Sequence, residues 1–228
     1  MTGWWISELL NNGQGAMLAA WIFWVLVSIS LHELGHGYAA IRQGDTTPRD
    51  LGHMTVNPVV HMGWFSLIVF AITGLAWGQM PVSPSRFRDG RLGEFLVSGA
   101  GPLVNLILSF LCFTVYGVML AYRVGLDNTF QASSPSMENL YTFIELGGSL
   151  NLLLCFFNLL PVPPLDGSTM LASTSRKMYD FMHHPFVQQA GFFVLILVVW
   201  RSGVTGRLRD AADTIAGHWI GLIVRVLG

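Results

Sequence analysis

The stretch Met17–Ile41 carries a single formal charge, Glu33. A run of that length is enough for a helix to cross a bilayer core of about 30 Å. It therefore confines the chain to folds built around a buried, membrane-crossing helix. A carboxylate at that depth costs roughly 3 kcal/mol on insertion scales unless something pairs with it. The residues around Glu33 suggest what does. His32-Glu33-Leu34-Gly35-His36 puts two imidazoles four positions apart, on one face of a helix, where they can bind one metal ion together. Glu33 lies about a quarter-turn from His32, near the open coordination position. There it can take a proton from water activated by a bound Zn²⁺. Two packed histidines on an ordinary helix are the plainer alternative, and the apolar surroundings disfavour it.

The rest of the chain agrees with a membrane setting. Of 228 residues, 52% are hydrophobic and 11% charged, against about 25% charged in a soluble domain. The expected fold is an all-α polytopic membrane protein with about 4–6 transmembrane helices. A small extended or re-entrant region is expected after the first helix. Leu92–Tyr122 and Asn139–Leu160 read as long spans, and Pro185–Trp200 as a marginal one. Gly44–Val60 reads as extended or looped. Gly63–Gly78 is apolar but short. Arg201–Gly228 places apolar residues at helical spacing, as in an interfacial amphipathic helix or a weak last span. Trp4, Trp5, Trp21 and Trp24 suit the interface near the first span. One domain is expected over residues 1–228, with a core at 17–170 and a C-terminal span and amphipathic helix at 171–228. There is no basic region ahead of an apolar core at the N-terminus, so no cleavable signal peptide is expected. The net charge of −1 argues against a nucleic-acid partner. Cys112 and Cys155 both sit in apolar runs and fit neither a disulfide framework nor a cysteine zinc site.

Charge suggests the topology. Arg42 and Arg49 follow the first span, and Arg86, Arg88 and Arg91 precede the second long one. If Gly63–Gly78 dips in and returns, all five lie on one side, and the positive-inside rule makes that side cytoplasmic. The active site is then expected toward the cytoplasmic side of the cell membrane.

Two histidines need a third protein ligand. Asp166 is the best candidate. The prolines at 161, 163 and 164 stop the preceding helix, and Asp166 emerges on the side where the first span ends. A solvated turn is the alternative for that segment by itself. Asn105 and Asn158 stand out on stripes of small and polar residues that otherwise serve helix packing. Either amide could hydrogen-bond a substrate carbonyl as charge develops on it, and Asn158 ranks first because it precedes Asp166 closely.

Four segments together resemble the site-2 protease family of intramembrane zinc metalloproteases, in its compact form. They are His32–His36; Thr55-Val56-Asn57-Pro58 with His61; Gly101-Pro102-Leu103-Val104-Asn105; and Asn158 through Gly167. The resemblance implies one zinc per chain, held by His32, His36 and Asp166, with Glu33 as catalytic base. It implies that Asn158 contacts the scissile region and that transmembrane proteins are the substrates. His61 and Asn105 become candidates for substrate contact or for support around the metal. The chain departs from the compact pattern at His61-Met62-Gly63, where relatives carry His-x-Asp. It also lacks the lysine that relatives place before the proline-valine run at Pro81. The oligomeric state is not legible. The rival reading is a zinc-holding membrane scaffold that binds transmembrane clients without cutting them, and the presence of Glu33 argues against it. A metal transporter would need a second ring of intramembrane ligands, which the sequence does not offer.

Overall fold

The computed structural model describes residues 5–126, 134–201 and 203–227. Trp4 lies outside the described residues. Ten α-helices follow one another, with no β-strand among the described residues. They are α1 (Trp5–Asn11), α2 (Gly15–Arg42), α3 (Thr47–Asp50), α4 (Pro58–Thr73), α5 (Arg91–Leu126), α6 (Pro135–Asn158), α7 (Asp166–Ala172), α8 (Arg176–Met182), α9 (Pro185–Arg201) and α10 (Val204–Leu227). Three of these, α2, α5 and α6, are long and apolar enough to cross a membrane. The protein is an all-α membrane protein.

The distribution of side chains is that of a bundle solvated by lipid. On α5, Ser98, Asn105 and Ser109 are buried while Leu103, Ile107 and Leu111 face outward. With lipid outside, helices gain nothing by hiding leucine from one another, so small residues and polar contacts hold them together. Gly147 of α6 lies directly under the Trp24 indole of α2, whose Nε1 donates to the Phe143 carbonyl at 2.8 Å. Gly148 takes the Phe113 ring of α5 in the same way. Gly35 brings α2 against α5, where a Cβ would lie 2.9 Å from the Ala100 carbonyl oxygen.

Gly44–Val60 is more helical than its composition suggests. Pro48 sits in the first turn of α3, and Asn57 caps α4 by accepting the Val59 N–H, with Pro58 opening the helix. Proline is favoured there because that N–H has no intrahelical partner. The apolar segment after it is a kinked helix. Gly63 interrupts α4 at φ 64°, and Gly74 ends it at φ 78°, backbone positions that suit glycine alone among the common residues. Trp64, Phe65, Ile68 and Ile72 point outward.

Both ends of this excursion are tied to one place. The Arg88 N–H donates to the Gln43 carbonyl, and the Gln43 side chain holds Asp89. Asp45 accepts from the Ser83 N–H and lies 3.8 Å from Arg86. The chain thus leaves the end of α2, passes through α4 and returns beside its starting point, as a re-entrant element does.

The last helix packs along the bundle. Ala212 and Ala216 of α10 meet Phe113 and Leu152, and Trp219 Nε1 donates to Thr114 Oγ1 at 3.0 Å. Ile223 follows against Gly117, so α10 runs beside α5 in the same direction.

Candidate metal centre

On α2, His32 and His36 project from successive turns into the interior, and Asp166 reaches them from the first turn of α7. His32 Nε2 and His36 Nε2 are 3.0 Å apart. Asp166 Oδ2 lies 3.1 Å from the first, and Oδ1 lies 3.4 Å from the second. The three potential ligand atoms all fall within 4.8 Å of one another.

Hydrogen bonds on the far side of each ring fix which nitrogen faces inward. His36 Nδ1 is 2.7 Å from the Val97 carbonyl, which can only accept. His32 Nδ1 is 2.5 Å from Asn105 Oδ1. The Asn105 Nδ2 group donates to Asn151 Oδ1 at 2.8 Å and faces the Ser28 carbonyl, so its oxygen is the atom left for His32. Both imidazoles therefore carry their proton on Nδ1 and turn lone pairs on Nε2 toward a carboxylate. Asp166 Oδ2 is buried with no donor. Three lone-pair donors converging in this way repel one another unless a cation lies between them. Two imidazoles and a carboxylate form the open three-ligand set of catalytic zinc sites. The residues present fit a zinc ion.

Glycines make the space. A Cβ on Gly101 of α5 would lie 2.6 Å from His32 Nε2 and closer still to His36 Nε2, in the volume an ion would take. A Cβ on Gly167 would strike the backbone of Leu159 and Leu160, so glycine there lets α7 fold back against the broken end of α6 and present Asp166. Glu33 is buried beside the histidines. An extended segment passes it, and a Cβ on Gly78 would lie 2.6 Å from Glu33 Oε1.

The other residues singled out from the sequence fall into different places. Asn105 is fully buried and committed to His32 and Asn151, so it fixes the His32 ring and has no donor left to meet a substrate carbonyl. Asn158, ranked above it, donates back to the Leu154 carbonyl of its own helix at 3.0 Å. His61 is buried, its Nε2 on the Thr55 carbonyl at 2.6 Å, within electrostatic reach of Glu33. Asn151 of α6 is a further residue, which the sequence reasoning did not single out. Its amide donates to the Gly147 carbonyl while its oxygen holds Asn105, which makes it the outer member of a chain ending at His32. Its place on a polar stripe at the level of Asn105 was the only available signal.

Apolar helices that cross a membrane, joined at a buried His-His-Asp cluster with a glutamate beside it, define a membrane-embedded zinc metalloprotease. A model of peptidase family M50 matches residues 20–198, which take in the whole cluster, and the chain belongs to this family of site-2 proteases. The chain is 39% identical over 192 residues to a Bacillus subtilis (strain 168) protein provisionally named zinc metalloprotease YwhC, covering 80% of this chain and 85% of that one. It is 29% identical over 225 residues to the Mycobacterium tuberculosis (strain H37Rv) protein provisionally named zinc metalloprotease Rip2, covering 89% and 80%. No solved structure matches the chain.

Proposed function

We propose that this metalloprotease hydrolyses peptide bonds within or near transmembrane segments of membrane-protein substrates, using His32, His36 and Asp166 as zinc ligands and Glu33 as the base. The observation that carries this reading is the convergence of three potential ligand atoms within 4.8 Å, two of them on a helix long and apolar enough to cross a membrane, next to a buried carboxylate. Zinc bound there would supply Lewis acidity, making water a stronger nucleophile and polarising the scissile carbonyl. Glu33 accepts the proton of the attacking water on a carboxylate oxygen and delivers it to the departing amine nitrogen. Asn105 and Val97 keep His32 and His36 in the ligating tautomer. Burial keeps bulk water away from the Glu33 carboxylate.

A helical substrate hides its carbonyls in its own hydrogen bonds and must open before it is cut. The extended chain beside Glu33 is the segment around Gly78. Between α3 and α4 the chain forms a short loop. Residues 17–170 serve as the catalytic core and 171–228 as a C-terminal addition in one domain, with α10 packed on α5 and α6. The bundle sits in the cell membrane with the metal toward the cytoplasm, because the arginine-bearing ends of α2 and α5 lie together.

Glu33→Gln tests the reading. The amide keeps the size of the side chain but cannot act as a base. The variant should hold zinc, bind membrane-protein clients and accumulate them uncut in comparative proteomics of membrane fragments. Cleavage at the wild-type rate would remove Glu33 from the mechanism. Clients that bind but are cut by neither protein would favour the scaffold.

A further inference from the structure

A second pair of histidines lies outside the catalytic cluster. His53, in the loop between α3 and α4, and His61, in the first turns of α4, have ring centres 6.2 Å apart at an interplanar angle of 69°. The Nδ1 atoms of both rings are buried and have no hydrogen-bond partner. His61 itself is 3% exposed. Its Nε2 faces the Thr55 carbonyl, which can only accept, so the proton is on Nε2 and the Nδ1 lone pair is unused. That is the arrangement seen at His36, with the two nitrogens exchanged: one ring nitrogen donates to a backbone carbonyl and the other is left ready to ligate.

We propose that His53 and His61 form a second, weaker site for a divalent ion of the class imidazole favours, such as Zn²⁺, bound through their two Nδ1 atoms. Metal–nitrogen bonds of about 2.0–2.1 Å put two coordinated rings roughly 5–6 Å apart between centres, close to the separation observed. The frame is already set. Thr55 N–H donates to the His53 carbonyl, Thr55 Oγ1 accepts the Asn57 N–H, and the His61 carbonyl accepts the Gln79 N–H. His53 is half-buried on its loop. Burial, with the neighbouring His61 ring, holds the His53 imidazole below its ordinary pKa, which keeps it neutral and able to ligate near pH 7. The Glu33 carboxylate, within electrostatic reach of His61, offers counter-charge. Water would complete the coordination sphere, and two protein ligands rather than three make this the weaker of two sites.

The test is zinc stoichiometry on the full-length protein in detergent, by equilibrium dialysis against increasing free Zn²⁺ with metal counted by atomic emission. Wild type should take up one ion at low free zinc and a second at higher free zinc. His53→Asn and His61→Asn should lose the second and keep the first. Asp166→Ala should do the reverse, so failure of this site and failure of the catalytic reading give different patterns. His53 is the less buried of the pair, and its variant, with melting recorded alongside, stands if His61→Asn fails to fold. Wild type saturating at a single ion, or His53→Asn still taking up the second, would overturn the proposal.

Discussion

Asn105 acts on the metal centre through His32. Its oxygen holds the His32 Nδ1 proton and its amide is held by Asn151. Loss of a partner of this kind lowers metal affinity by roughly 10–100-fold. Asn105→Ala should therefore weaken zinc binding by about that factor, read by competition with a chelator, and Asn151→Ala should weaken it less. Gly101→Ala should abolish zinc binding altogether, because the added methyl takes the volume between the two Nε2 atoms. Retention of zinc by that variant would mean that α5 can retreat. Asn158→Ala separates two roles. If the amide stabilises the substrate oxyanion, turnover falls about a hundredfold or more with zinc and melting unchanged; if it only packs, melting falls and turnover per folded molecule holds. The histidines and Glu33 were legible because a four-residue spacing on an apolar helix is a local pattern. Asp166 was legible once the prolines placed it at the same membrane side. The Asn151–Asn105–His32 chain joins three helices across sequence separations that no periodicity encodes, so it was not legible.

At the scale of elements, the ends of α2 and α5 are clasped by Asp45. It is fully buried, accepts from Thr47 and from the Ser83 N–H, and faces Arg86. Burial pushes its pKa up, but the hydrogen bonds and the guanidinium together outweigh this and hold it below the usual carboxylate range. A carboxyl that binds its proton less readily when folded stabilises the fold fully above its unfolded pKa of about 3.9 and loses that contribution as pH falls through the lower folded value. Asp45→Asn should cost about 1.5–3 kcal/mol at neutral pH. The gap in melting temperature between wild type and variant should stay level from pH 7 to about pH 5 and narrow on further acidification. A gap that widened on acidification would show that the charge of Asp45 is not what holds the clasp. The sequence carried half of this element. Asn57-Pro58 is a helix start in plain view, whereas the kink at Gly63 is a change of backbone angle with no spacing signature.

For the whole molecule, the order of spans was readable because length and apolarity alone decide what crosses a bilayer. The course of the re-entrant element was readable only through charge. Cysteines placed at Arg49 and at Arg88 should react with an impermeant thiol reagent from one and the same side, the cytoplasmic one. Labelling from opposite sides would mean that α4 and the segment after it cross. The last helix was ambiguous because its charges lower its hydropathy, and only its fit against Phe113 and Gly117 places it along the bundle.

The ligands His32 and His36 stand near the start of the chain, and Asp166 follows the third long helix. The acid that completes the cluster thus leaves the ribosome long after the histidines are in the membrane. A half-made chain carries a base and two imidazoles but lacks the third donor of an open three-ligand site. If His32, His36 and Asp166 are the ligands, synthesis itself would work as a safety catch, released by the segment from Pro161 to Gly167. At low free zinc, chains arrested on the ribosome before Pro161 should hold no ion, and those extended past α7 should acquire one.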